Sequence, residues 1–354
     1  MKIGVLTFHR TSNFGSSLQT YGLYKKIMDL GGECVIVDYR CPAIEKRENI
    51  KPKLSLRHPK SVLKYFLYGK KMQEKAFSLQ EFANQNMKMS REVNPETIAE
   101  LNPEYGKYIV GSDIVWGRDI TEDDYNYFLE FVTDSKKKYA FASSVGDYRI
   151  RDNEDQLCNL LRGFQQIAVR EDGAVDWVKK IAGVNAQVVC DPTMLLTISE
   201  WETAIHPTTY AEDYVLVYFG NDNPKCMSDA ITYAKAQNKK IKVINYFKKI
   251  KQVENIRPTS LNDFLGLIKN ASMVFTASYH GMLFSIYYHK EFQFYTRAHK
   301  SRVLSLADRL GVLNHCGDEN KIEEYQNVVY ENVEKRVEEF RMHSISVLKS
   351  MLDE

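Results

Sequence analysis

The sequence is short of the features that mark several classes of protein. It holds no apolar run long enough to span a bilayer. Its opening residues, MKIGVLTFHR, lack the longer apolar core and small-residue cleavage site of a secretion signal. Six cysteines, Cys34, Cys41, Cys158, Cys190, Cys226 and Cys316, form no CxxC pair and no zinc-like cluster. Several fall in expected strands and read as free thiols of a reducing cytoplasm. A net charge of +2 leaves no basic excess to attract nucleic acid. Neither a GxGxxG fingerprint nor a Walker A loop is present. His9, His280, His289, His299 and His315 are not spaced as ligands on one element, so no metal is expected. There is no short-period repeat and no low-complexity tract.

What remains is an ordinary globular composition, 44% hydrophobic and 27% charged, over 354 residues. That length exceeds what one core usually serves, so two domains are expected. Strand and helix signals alternate almost throughout. KIGVLTF, a helix over GSSLQTYGLYKKIMDLGG and CVIVDY open a parallel sheet. YIVGSD, YAFASS, IAVRE and QVVCDPT follow as strands, with GAVDWVKKIAG a helix between the last two. After a connector up to Asp213, YVLVYFG, KIKVINYF, MVFTAS and FQFYT repeat the pattern with helices between them. The expected division is an N-terminal Rossmann-like domain over 1–195, with a basic helical insertion over 42–101. A second such domain follows over 196–327, and a last helix over 328–354 crosses back toward the first. Two doubly wound α/β domains in tandem place ligands in an interdomain cleft, at the carboxyl ends of strands.

The polar residues at those ends are therefore the candidates. In FHRTSNFGSSLQ, Asn13, Gly15, Ser16 and Ser17 lie between the first strand and its helix. They offer backbone N–H groups to an anion, or merely cap the helix. Arg170 in AVREDG ends a strand; its guanidinium fits a carboxylate or phosphate, or pairs with Glu171 or Asp172. Ser278, Tyr279, His280 and Gly281 stand where a strand turns into a helix. Histidine there can act as general acid or base, or fill a half-buried niche. His289, at the far end of that helix, reads as a cation on a helix C-terminus. Ser112 and Asp113, then Ser143, Ser144, Gly146 and Asp147, add polar groups at two more strand ends.

Six segments in this order, LTFHRTSNFGSSLQTYGL, VGSDIVW, VREDGA, DPTMLL, SYHGMLFSIYYHKEF and SRVLSLADRLGV, resemble the polysaccharide pyruvyl transferase family. The resemblance runs from residue 1 to about 315. It implies a GT-B-like fold and transfer of pyruvate from phosphoenolpyruvate to a sugar, giving a cyclic ketal on a bacterial surface glycan such as a capsule or exopolysaccharide. It implies a donor site with an arginine and a histidine, here Arg170 and His280 as the catalytic pair, with Ser278, Tyr279 and Gly281 beside them. Arg302 joins that site or is a solvated helix-start arginine. Asn13, Gly15, Ser16, Ser112, Asp113, Ser144 and Gly146 fall to the acceptor side or the cleft. No cofactor is implied beyond the donor substrate, because phosphate departure does not itself require a metal. Three positions depart from the family pattern: Ile114 replaces a glutamine, Gly117 an asparagine and Val145 a phenylalanine. They bear on the acceptor contacts.

Residues 46–75 interleave lysine and arginine with Leu, Tyr and Phe. They read as a solvated insertion, or as a basic amphipathic face against the anionic inner face of a membrane, which would suit a lipid-linked acceptor. Two rival functions share the fold: a nucleotide-sugar glycosyltransferase, and a non-catalytic sugar- or anion-binding protein.

Overall fold

The computed structural model describes residues 1–48, 69–146, 148–151, 154–218, 223–246, 249–296 and 300–353. Eleven strands form two all-parallel sheets among these residues. The first sheet holds β1 (Lys2–Leu6), β2 (Glu33–Ile36), β3 (Lys107–Val110), β4 (Lys138–Ser143), β5 (Gln166–Val169) and β6 (Gln187–Val188) in the order β2-β1-β3-β4-β5-β6. The second holds β7 (Tyr214–Tyr218), β8 (Lys240–Ile244), β9 (Glu254–Ile256), β10 (Met273–Thr276) and β11 (Glu291–Phe294) in the order β11-β10-β7-β8-β9. Strand order reverses between β1 and β3 in the one and between β7 and β10 in the other. Those are the places where a doubly wound sheet opens a crevice.

The helices are α1 (Phe14–Asp29), α2 (Pro42–Glu48), α3 (Lys70–Asn86), α4 (Arg118–Thr121), α5 (Asp155–Arg162), α6 (Asp172–Ala182), α7 (Ile198–Ala204), α8 (Pro224–Ala236), α9 (Leu261–Lys269), α10 (Tyr279–Tyr287), α11 (Ser301–Leu310) and α12 (Tyr330–Asp353). The chain divides into two compact units. One runs from Met1 through α2, resumes at Gln80, ends first at Leu196 and takes in the chain from Val337 on. The other holds the part of α3 up to Leu79 and Thr197–Arg336. Helices α3 and α12 are thus each shared between the units. The connector after the first sheet contains α7, opened by a reciprocal cap between Thr197 and Glu200. The short, polar β9 had no apolar run to announce it.

Strands covered on both faces read as unbroken apolar runs, as MVFT of β10 does. The first core gathers Val110, Trp116, Phe128, Val169 and Trp177 among many others. The second centres on Val215, Val217, Val243, Met273 and Phe275. All six cysteines are free thiols. Among the described residues no helix is long and apolar enough to cross a membrane.

The last helix is tied to the first sheet by polar groups. Arg341 Nε donates to Met194 O at 2.7 Å, and Ser344 Oγ accepts the Cys190 N–H at 2.8 Å. Lys107, the buried first residue of β3, donates to the terminal carbonyls Met351 O and Leu352 O at 2.7 and 2.9 Å. A cation thus meets the negative end of the helix. Ser344 and Cys190 are both fully buried. Ser344→Ala leaves the Cys190 N–H without its partner, so unfolding in urea should report a loss of about 1–3 kcal/mol; an unchanged midpoint would mean that this bond does not hold the helix.

Beyond β2, Asp38 collects three partners. His9 Nε2 lies 3.0 Å from Oδ1, Arg10 Nη1 3.1 Å from Oδ2 and Arg40 Nε 3.2 Å from Oδ1. Burial alone would raise the Asp38 carboxyl, but the His9 hydrogen bond and the charges of His9, Arg10 and Arg40 outweigh it and hold the pKa down at about 2, against an ordinary 3.8. A carboxyl lowered by folding stabilises the native state above its unfolded pKa, and that contribution disappears as pH falls through the folded value. Asp38 should therefore add on the order of 1–2 kcal/mol at neutral pH, lost between about pH 4 and pH 2. Urea titrations across that window should show a shallower decline for Asp38→Asn than for the wild type.

Candidate functional site

The carboxyl edge of the first sheet brings together most of the polar residues singled out in the sequence. Asn13 is exposed and caps α1, its Oδ1 accepting the Gly15 N–H at 2.9 Å. Ser16, one turn in, donates from Oγ to Asp113 Oδ2 at 2.5 Å. That bond joins the first turn of α1 to the loop after β3, across the point where strand order reverses. Asp113 is half-buried and sits at φ 71°, a conformation that few non-glycine residues adopt. Its Oδ1 accepts the N–H of Ile114 at 2.8 Å, and its carbonyl accepts the N–H of Ser144 at 3.0 Å. Ser112 is fully buried; its N–H donates to Gln19 Oε1 at 3.3 Å and its carbonyl accepts from Thr7 Oγ1 at 3.0 Å. Ser144 Oγ donates to Glu171 Oε1 at 2.8 Å, and Val145 N–H donates to the same oxygen at 3.1 Å. Gly146 is buried, at φ 76°. Of this group, Asn13 and Asp113 are the ones open to solvent. Asp147 lies outside the described residues.

Arg170 is buried at the end of β5. Its side chain is 1% exposed, and Nη1 donates to Asp191 Oδ2 at 2.6 Å, with Glu171 Oε2 3.8 Å from Nε. The pairing considered from sequence was with a neighbour along the chain. The stronger partner comes from the adjacent parallel strand end instead, because β5 and β6 finish side by side. Asp191 also accepts from Thr193 N at 3.0 Å and Thr193 Oγ1 at 2.7 Å, closing the turn Pro192–Met194. The DPT and VRE segments are thus two halves of one buried clamp. Sequence reading quoted Asp191 without assigning it a role; an aspartate before Pro-Thr, a turn cap, was the available signal.

Two of the three departures noted in the sequence explain each other. A Cβ on Gly117 would fall 2.5 Å from Ile114 Cγ2, so isoleucine at 114 demands glycine at 117. Val145 is fully buried, a core position rather than a ligand contact.

The other candidates lie in the second unit. β10 ends at Thr276, and Ser278 caps α10 by accepting the Gly281 N–H on Oγ at 3.3 Å. The glycine is required by contact: a Cβ there would stand 2.4 Å from Thr276 Oγ1 and 3.0 Å from Tyr218 Cδ1. Helix α10 can begin this close to the strand end only without that carbon. Tyr279 is buried and meets the His280 ring edge-on at 5.3 Å. His280 is half-buried in the first turn, near the positive end of the helix dipole, on the carboxyl side of the sheet. Arg302, half-buried, is the second residue of α11, after β11. His289 is tied instead to α12, with Nε2 2.8 Å from Glu334. Hence Arg170 and His280 belong to different compact units. Among the described residues no group of three or more His, Cys, Asp or Glu side chains is placed to hold a metal ion.

Solved structures share this architecture. A putative UDP-N-acetylglucosamine 2-epimerase from Listeria monocytogenes, 9% identical, matches over 99% of this chain and 90% of that one with a TM-score of 0.53. A UDP-N-acetylglucosamine 2-epimerase from Rickettsia bellii, 8% identical, covers 99% and 96% with a TM-score of 0.45. At these identities the likeness is one of fold, and the fold is GT-B-like, with two Rossmann-like domains. No curated protein matches the chain in sequence. The profile described as Polysaccharide pyruvyl transferase matches residues 13–297, most of the length, and the chain belongs to that family of enzymes.

Proposed function

We propose that this enzyme takes pyruvate from phosphoenolpyruvate and joins it as a ketal to two hydroxyls of one sugar in a bacterial surface glycan or its lipid-linked precursor. The observation that carries the reading is His280 in the first turn of α10, at the carboxyl end of β10, within a chain that matches the pyruvyl transferase profile on both sides of it. The donor is a small molecule with a carboxylate and a phosphate. A helix N-terminus and an arginine such as that at the start of α11 suit such an anion better than a nucleotide base.

In this reading His280 donates a proton to C3 of the enolpyruvyl group, and positive charge develops at C2. One sugar hydroxyl adds there and returns its proton to His280. The second hydroxyl forms the other C–O bond as the bond from C2 to the phosphate oxygen breaks; phosphate leaves with that electron pair and takes up the second hydroxyl's proton. Arg170, buried against Asp191, acts as a positioning residue of the first sheet's edge. The stretch 46–75 lies largely outside the described residues, and contact with an anionic membrane stays a proposal tied to a lipid-linked acceptor.

Thermal unfolding with phosphoenolpyruvate beside UDP- and GDP-sugars tests the donor. Phosphoenolpyruvate should stabilise the fold by about 2.7 kcal/mol at a hundred times its Kd, and the nucleotide sugars should not. The reverse pattern would make the chain a glycosyltransferase. Phosphate release with a set of glycosides carrying neighbouring hydroxyls tests the acid: His280→Ala should lose about 10²–10⁴-fold in turnover with its melting temperature retained. Near-normal turnover would remove His280 from that role.

A further inference from the structure

The stretch from Lys235 to Lys251 holds seven lysines, no arginine and no acidic residue. It runs from the end of α8 through β8 into the loop before β9. The fold gathers part of that charge around one cavity. Helix α8 packs on β7, β8 and β10. Beside it opens a space of about 710 Å³, lined by Lys235, Lys239, Lys240, Lys249 and Glu254. Ile241 and Val253 add apolar wall. Lys240 is the first residue of β8 and Glu254 the first of β9. A parallel sheet aligns its strand starts, so this cavity lies at the amino ends of β8 and β9, whereas His280 follows the carboxyl end of β10.

The cavity keeps an excess of positive charge. Lys239 Nζ meets Asp213 at 3.1 Å and Lys240 Nζ meets Glu212 at 3.0 Å. The buried Lys242 stands 3.0 Å from Glu212 and 4.0 Å from Glu254. Lys235 and Lys249 are exposed, and among the described residues no carboxylate pairs with either. Five lysines, Lys242 included, thus face three carboxylates. Lys235 stands in the last turn of α8, where a cation suits the helix dipole. Lys249 lies on the loop before β9, outside that helix, and has no such role.

We propose that this cavity is a second ligand site, for a small molecule that carries two or more phosphate groups on an apolar body. The inference does not rest on the donor reading. The volume falls within the roughly 300–1,000 Å³ of small-molecule pockets, more than a bare phosphate fills. A rim of lysines without arginine presents point charges on flexible stems rather than planar forks. That suits the many oxygens of linked phosphates better than the two coplanar oxygens of a carboxylate. Ile241 and Val253 supply the apolar contact for the rest of the ligand.

The test is titration calorimetry of the full chain with inorganic pyrophosphate and with ATP as probes. The wild type is compared with a Lys235→Gln, Lys249→Gln double variant and with His280→Ala. The wild type should bind both probes, ATP more tightly. The double variant should bind them about 10- to 100-fold more weakly, the loss expected when charged contacts are removed, and His280→Ala should bind as the wild type does. Failure of the wild type to bind either probe overturns the inference. So does binding that the double variant retains and His280→Ala loses, which would put the phosphates at the carboxyl edge. A double variant that melts lower yet binds with the wild-type Kd would make the lysines partners of the α8 C-terminus alone, and overturns it too.

Discussion

The buried pair of Arg170 and Asp191 is the constraint on which the first unit's edge depends. Both side chains are almost wholly enclosed and meet at 2.6 Å. Such a pair contributes little net stability compared with well-packed apolar groups, but removing one partner commonly costs about 3–5 kcal/mol, because the other charge stays behind in a dry site. Everything near it is arranged to keep it closed. Asp191 spends its second oxygen on Thr193, which fixes the turn Pro192–Met194. The carbonyl of Pro192 comes so close to α1 that a Cβ on Gly22 would lie 2.5 Å from it. The carbonyl of Met194 takes Arg341 from the last helix. Next to Arg170, Glu171 holds the loop after β4 through Ser144 and Val145. One ion pair thus sets the positions of three strand ends, the first helix and the last.

That dependence governs how variants at this edge are to be read. Replacing Arg170 takes the arginine away from a fully buried carboxylate, so lost ligand binding in such a variant reports on the fold before it reports on the ligand. A group open to solvent, as Asp113 is, does not carry this burden, since its bonds to Ser16 and Ile114 are local to two loops. The two edges differ in make-up. The first is a lattice of hydrogen-bonded hydroxyls, amides and carboxylates. The second carries a helix start with a histidine in its first turn and an arginine at the start of α11.

Much of this architecture was legible in the residues. Apolar runs such as VVC, YVLVY and MVFT name parallel strands because burial on both faces leaves no polar alternation. Polar residues directly after them had to stand at the carboxyl edges, since a parallel sheet aligns all its strand ends. What sequence could not supply was lateral order. Arg170 was weighed against Glu171 and Asp172, its neighbours along the chain, whereas its main partner is set by which strand lies beside β5. Lys75 sat in a segment whose charge density reads as solvated, yet it is buried, its ammonium over the Tyr246 ring. Strand β9 escaped because a three-residue polar element carries almost no periodicity.

Glycine shows the same limit from another side. At Gly281 the natural expectation is backbone freedom for a ligand, yet its N–H is engaged by Ser278, and the residue is demanded by the closeness of Thr276. At Gly117 the demand comes from Ile114. Asparagine at 117 would force the Ile114 side chain to move, so the two departures from the family pattern are coupled through one contact. That change leaves the Ser16–Asp113 bond intact. It makes the surroundings of Asp113 less polar, with an isoleucine side chain filling the space over a glycine.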